Sequence, residues 1–331
     1  MNDAARPPIE IGLSAAIVTV IDREPLILVV GSQGHDGSEP EGLPFGPFDP
    51  LAHRTFEIGL RAWVAEQTAL KLGYVEQLYT FGDRGRHARH GDAGPHLVSV
   101  GYLALTRPSA ESSAALARTG ASWRRWYEFF PWEDWRQGRP ALLDQALLPA
   151  LDKWAKAAPP SDPHLRPLDR PERIRLAFGD DGARFDEERV LDRYELLYEA
   201  GLVAEARRDG RPEPVDHPEA SAFGAAMRFD HRRILATAIS RLRAKLKYRP
   251  VVFELMAPEF TLTELQRTVE AIAGRHLHTQ NFRRLVDSGA LVEPTGALAQ
   301  QLRGRPAALF RFRREVLKER PAPGLRFGAR A

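Results

Sequence analysis

Alternating and helical apolar patterns divide the chain into predicted elements. "LSAAIVTVI" from Leu13 and "PLILVVG" from Pro25 are short apolar runs rich in β-branched residues, separated by the turn-like "DREP". They predict two strands joined by a hairpin. A Gly/Pro-rich stretch, "GSQGHDGSEPEGLPFGPFDP", follows as a loop. In "HRTFEIGLRAWVAEQTALKLG" the positions Phe56, Leu60, Trp63, Val64 and Leu70 recur near one face, which predicts a helix closed by Gly73. "EQLYTFGD" and "LVSVGYLAL" predict two further strands around the polar loop "RGRHARHGDAGPH". Residues 123–135, "WRRWYEFFPWEDW", concentrate aromatic surface that suits a core, a dimer contact or a base-stacking platform; packing in a core or dimer is favoured at this density.

"AAPPSDPHLRPLDRP" and "RDGRPEPVDHPEAS" read as proline-rich connectors on either side of the helical "FDEERVLDRYELLYEAGLV". A long helix is then predicted in "RFDHRRILATAISRLRAKLKY". Asp230 is its candidate N-cap, and Ile234, Leu235, Ala238, Ile239, Leu242 and Leu246 form its apolar stripe. Thr261 followed by Glu264 has the spacing of a capping box, and Leu265, Val269 and Ile272 form the inner face of the next helix. After the short break "AGRHLH" another helix keeps Phe282, Leu285 and Val286 inside. It turns Thr279, Gln280, Asn281, Arg283, Arg284 and Asp287 outward and stops at Gly289. "ALVEP" and "PAALFRFR" predict two strands around "TGALAQQLRGR", making the unit a winged helix-turn-helix with Arg303 and Arg305 on the wing.

Composition and charge narrow the function. The 331 residues suit two domains, and no apolar run approaches the ~20 residues of a membrane span. There is no cysteine, which removes disulfides and thiolate metal sites, and no secretory signal pattern at the N-terminus; a cytoplasmic location is expected. The net charge of +3 conceals a split, since residues 245–331 hold 16 Lys and Arg against 8 Asp and Glu, a net +8, leaving −5 for residues 1–244. A basic excess on the helix-turn-helix half points to a polyanion. Gln and Arg side chains can read purine edges in the major groove, while Thr hydroxyls and helix N-terminal amides hold phosphate. Double-stranded DNA is therefore the expected partner of Thr279, Gln280, Asn281, Arg283, Arg284, Arg303 and Arg305. A solvated charged face or a protein-binding winged helix is the alternative.

The run "YRPVVFELMAPEFTLTELQRTVEAIAGRHLHTQNFRRLVDSGALVEPTG", together with "EQLYTFGDRGR", "LVSVGYLAL" and "RFDH", resembles the Nudix-related transcriptional regulators of NAD metabolism, the NrtR family. The enlarged middle segment is similar to that of their alphaproteobacterial NadQ-type relatives. This resemblance implies an α+β fold: a degenerate Nudix-like α/β/α domain over 8–247 and a C-terminal winged helix-turn-helix domain over 248–331. It also implies a homodimeric repressor governed by an adenine nucleotide such as ADP-ribose, NAD or ATP, with the effector near Phe81, Asp83, Arg84 and Arg86. Arginines there can clamp a diphosphate.

A working Nudix box, G-x5-E-x7-R-E-U-x-E-E-x-G-U, needs several carboxylates on one helix face to hold Mg²⁺ at a diphosphate. Aligning Arg61 with the box arginine puts Ala62 and Ala65 at glutamate positions and keeps only Glu66. Pro47, His53 and Thr68 then fall at the first Gly, the earlier Glu and the second Gly. A shift of alignment would bring in His53 or Glu57. The box is expected to serve the fold rather than hydrolysis, with a Nudix-type nucleoside-diphosphate hydrolase bearing a DNA-binding appendage as the alternative and a structural adaptor as a third class. His87, His90 and His96 are too irregularly spaced for a metal expectation. No P-loop and no G-x-G-x-x-G after a strand is present.

Overall fold

The computed structural model describes residues 8–31, 40–83, 96–107, 114, 116, 118–157, 168–179, 182–212, 219–299, 306–319 and 325. The N-terminal half is built on a mixed sheet. Its strands are β1 (Ile9–Ile21), β2 (Glu24–Val30), β3 (Phe45–Pro47), β4 (Tyr74–Phe81), β5 (His96–Leu105) and β6 (Ala121–Arg125), in the order β4-β5-β1-β2-β6 with β3 paired to β1. β1 lies parallel to β5 and antiparallel to β2, with Ile21 opposite Glu24. That register leaves a two-residue loop, Asp22 and Arg23, both at positive φ (49° and 67°), the mirror-image turn that matches the twist of a hairpin.

Alternation along β1 and β5 sends side chains to two cores. Leu13, Ala15, Ile17, Val100, Tyr102 and Ala104 pack with Leu60 and Val64 of α1 (Phe56–Thr68). Ala16, Val18, Leu103 and Leu105 face the other way. α1 is shorter than its apolar pattern predicts, because Ala69, at φ 55°, takes the left-handed cap position expected of Gly73.

The opposite face of the sheet carries a helical segment and a central helix. After β6 the aromatic stretch turns inward, with Trp126, Phe129, Phe130 and Trp132 at most 1% exposed. Those four rings are core, while Trp123 and Trp135 at the ends of the stretch stay partly exposed. α2 (Leu148–Lys156), α3 (Arg170–Phe178) and α4 (Val190–Glu199) follow; α3 begins with a reciprocal Asp169/Glu172 capping box and ends at left-handed Gly179. α5 (His231–Tyr248) packs on the sheet, on α4 and on the C-terminal unit. Enclosure on three sides explains why Arg232 and Arg243 are buried together with its apolar stripe. Asp230 sits at its N-cap without a side-chain capping bond, its carboxylate turned to Arg233 at 3.2 Å.

The C-terminal unit contains α6 (Leu262–Ala273), α7 (Thr279–Gly289), β7 (Val292–Ala299) and β8 (Ala307–Phe312). β7 runs further than "ALVEP" predicts, to Ala299. Phe260 pairs by two backbone hydrogen bonds with Phe310, adding a bridge to the wing sheet. One apolar cluster runs without interruption from Val18 and Trp126 through Leu242 and Leu246 to Leu265, Phe282 and Val286. The α/β/α sandwich and the winged helix therefore share a core. Among the described residues no helix is long and apolar enough to cross a membrane.

Candidate nucleic-acid interface and effector cleft

The expected capping box opens α6: Thr261 Oγ1 accepts from Glu264 N and the Glu264 carboxylate accepts from Thr261 N. Gly274 closes it at φ 72°. The short connection to α7 is held by Gln266 and Glu270. Gln266 Nε2 donates to Leu277 O at 2.9 Å and to Thr279 Oγ1 at 3.3 Å, while Glu270 Oε1 accepts from Leu277 N at 2.8 Å. These bonds fix the angle between the two helices with polar side chains that the apolar pattern does not reveal.

α7 anchors itself through Phe282 and Val286, 1% and 0% exposed. Three- and four-residue spacing then forces Thr279, Gln280, Asn281, Arg283, Arg284 and Asp287 into solvent, all of them exposed as expected. Arg284 Nη2 donates to Asn281 Oδ1 at 2.5 Å, which orients the guanidinium along the helix toward its N-terminus. His278 supplies no side-chain cap to the first turn. An uncapped amide end beside Thr279 suits a phosphate oxygen. At the base of the wing Arg311 pairs with Glu293 at 2.6 Å. Arg303 and Arg305 lie outside the described residues.

A second feature lies on the sheet domain. A cleft of about 560 Å³ opens between β2, β3, the C-terminal end of α1 and the start of α5. One wall is aromatic: the Phe229 ring lies 5.6 Å from Phe45 and 5.3 Å from His231, centroid to centroid. His231 Nδ1 accepts from Leu43 N at 3.0 Å, so the ring carries its proton on Nε2 when neutral. Arg228 reaches Val30 O at 3.3 Å and lines the opening with Glu66 and Gln67. Phe229 stands at φ 49°, a conformation unusual for a residue with a Cβ, which places Arg228 and His231 on the same side of the chain.

Of the residues nominated for an effector, Arg84 and Arg86 lie outside the described residues, as do His87 and His90. Phe81 is buried beneath the Arg233 guanidinium, 5.2 Å from its ring, and Asp83 forms an ion pair with that same arginine. Neither lines the cleft. Arg228, Phe229, His231 and Gln67 were not nominated. "RFDH" is the local signal for the first three, and its meaning depends on a hydrogen bond spanning 188 residues.

The box residues are likewise placed. Arg61 pairs with Glu57 at 2.8 Å and donates to Leu72 O and Gly73 O, so it braces the end of α1. Gln67 bonds both backbone groups of Phe45 and Trp63 donates to Pro47 O, fastening α1 to β3. The described residues bring no group of three or more His, Cys, Asp or Glu together in a metal-binding arrangement.

Comparison with known proteins then decides the C-terminal unit, since residues 252–312 match the family model described as the NrtR DNA-binding winged helix domain. The chain carries an NrtR winged helix domain. A curated relative, the ADPR responsive transcriptional repressor NtrR of Acinetobacter baylyi, is 42% identical over 85 residues, 25% of this chain and 33% of its own length. The chain thus aligns with a third of that relative. Two crystal structures of Shewanella oneidensis NrtR, one of them with a 27mer DNA, share the fold: TM-score 0.53 at 21% identity, covering 93% and 92% of this chain and 95% of theirs. The chain therefore shares the fold of those two structures over most of its length. The α7 face described above belongs to that NrtR domain.

Proposed function

We propose that the protein is a DNA-binding transcriptional repressor of NAD biosynthesis genes, acting as a homodimer and controlled by an adenine nucleotide, with ADP-ribose as the first candidate. The observation that carries this reading is the polar face of α7, from Thr279 to Arg284, presented by a helix whose Phe282 and Val286 are buried in an NrtR winged helix domain. The name of the Acinetobacter relative supports an ADP-ribose response.

Two winged helices related by a two-fold axis match a pseudo-palindromic operator, each α7 entering a major groove with Gln280, Arg283 and Arg284 toward base edges. Arg303 and Arg305 on the wing, and the N-terminal turn at Thr279 and Asn281, contact phosphate. The effector occupies the Arg228–His231 cleft. Its base lies against Phe45 and Phe229, and its diphosphate meets Arg228, with Arg84 and Arg86, one and three residues after Asp83, as further phosphate partners. Because Ala62 and Ala65 replace two box carboxylates, the nucleotide is bound and not hydrolysed. NAD and ATP are the other effector candidates.

The test is operator affinity with and without ADP-ribose, NAD and ATP. One of them should change it by roughly 5- to 150-fold, the usual size of an allosteric coupling. Arg228→Ala should remove the response while leaving DNA binding by the ligand-free protein intact. Absence of any salt-sensitive binding to double-stranded DNA would refute the repressor reading, and turnover of ADP-ribose with Mg²⁺ would establish a hydrolase instead.

A further inference from the structure

Past its Gly274 cap, the end of α6, the first helix of the helix-turn-helix, is held by groups from outside its own domain. A helix leaves its last carbonyls without partners inside the helix, and here three backbone oxygens at this end are taken by the sheet domain and its helical segment. Tyr127 Oη donates to Ala271 O at 2.7 Å, Arg243 Nε donates to Ile272 O at 2.9 Å, and the backbone N–H of Trp135 donates to Gly274 O at 2.7 Å. All three donors come from outside the unit that reads DNA.

Arg243 is itself held. Its Nη1 donates to Glu133 Oε2 at 2.7 Å and to Glu187 O at 2.9 Å. Glu133 is gripped from the other side by Arg193, with contacts of 2.5 and 3.0 Å. Glu133, Arg193 and Arg243 are each no more than 1% exposed. A buried carboxylate shared by two guanidiniums has one satisfied arrangement, since moving any member leaves a charge unpaired in the interior. The Arg243 cation also sits at the negative end of the α6 dipole. Contact is close enough that a Cβ on Gly274 would stand 2.4 Å from Glu133 O. On the far side of the junction Arg107 donates to Phe253 O and Glu254 O at 2.9 and 3.2 Å.

We propose that Tyr127, Glu133 and Arg243 are positioning residues for DNA binding. They form a clamp on the end of α6 that makes the helix-turn-helix and the sheet domain one rigid body, so that α7 is aimed by the aromatic segment and not by its own domain alone. No residue of the clamp touches the α7 reading face. A signal from the cleft then reaches DNA by moving whole protomers relative to each other, with no hinge between reader and sensor inside a chain. The role in DNA binding rests on the function proposed above; the rigidity does not.

The chain has no cysteine, so spin labels can be placed at Lys71→Cys and Ser288→Cys, two exposed positions on the sheet domain and on α7. Labelled full-length chain diluted with unlabelled chain reports the distance within one protomer. The wild-type background is expected to show a single narrow distribution, Arg243→Lys a broad one and Tyr127→Phe an intermediate one. Operator affinity should fall in parallel by roughly 5- to 150-fold, the equivalent of one lost base contact, while nucleotide affinity stays unchanged. A broad distribution in the wild-type background, or a narrow and unshifted one in both variants, would overturn the clamp. Should Arg243→Lys fail to fold, Tyr127→Phe carries the same test. If the wild-type protein binds no DNA, the repressor reading fails while the distances still decide the clamp.

Discussion

Gly274→Ala is the sharpest probe of the junction, because the structure separates its cost into two parts. Gly274 stands at φ 72°, where an added Cβ costs about 1–2 kcal/mol through its clash with the following carbonyl. That Cβ would also lie 2.4 Å from Glu133 O and 2.9 Å from both Arg243 Nη2 and Tyr127 Oη, against ordinary contact beginning at 3.4 Å. The nearest atom is backbone, and the Glu133 side chain is held by two buried arginines, so relief requires the junction to open. Overpacking of this kind costs about 1–3 kcal/mol, giving roughly 2–5 kcal/mol in all. Gly296→Ala supplies the control: its φ is 83° and nothing lies within 4 Å of the added atom, so only the backbone part of about 1–2 kcal/mol remains. Urea unfolding of the full chain, followed by the fluorescence of Trp126, Trp132 and Trp135 at the junction, gives both values from the midpoint shift at constant slope. If Gly274→Ala falls within about 0.5 kcal/mol of Gly296→Ala, the close approach of the two units is wrong.

Arg284→Ala should weaken cognate binding by about 1–3 kcal/mol and relax base preference at one position, whereas Arg305→Ala should weaken all sequences alike and flatten the salt dependence; competition binding at several salt concentrations distinguishes them. Phe282→Ala, which empties the anchor of α7, should cost about 3–5 kcal/mol of stability by urea titration. Burial by itself would raise the Glu133 carboxyl, but Arg193 and Arg243 outweigh it and hold the group below the ordinary glutamate value of 4.5. Its contribution is therefore complete above that value and is lost as the pH falls through the lower folded value, so stability should drop on acidification, and Glu133→Gln should be less stable near neutrality with a shallower acid limb.

Local patterns were enough for much of this protein because period and capping act within a few residues. The apolar, β-branched run Leu13–Ile21 determines its strand, the Thr261/Glu264 box its helix, and the anchors Phe282 and Val286 the outward face of α7, without reference to the rest of the chain. The exposed set from Thr279 to Arg284 follows from that geometry. Positions decided by a single φ were less legible: Ala69, at φ 55°, takes a cap expected of Gly73, and Arg61 holds Leu72 O and Gly73 O beyond the helix end.

What only tertiary structure decided involves partners far apart in sequence. The aromatic stretch could equally have faced a second subunit, and its composition is the same either way; it is the shared core around α5 that buries Trp126 and Trp132. Nothing local in the sequence names the distant partners of three arginines of α5, Arg232, Arg233 and Arg243. In the fold each meets a carboxylate supplied from elsewhere: Glu205, Asp83 with Glu195, and Glu133. The cleft depends on Leu43 meeting His231 across 188 residues. Charge pairing and cavity shape are sums over distant segments, and periodicity, which reads only neighbours, carries no information about them.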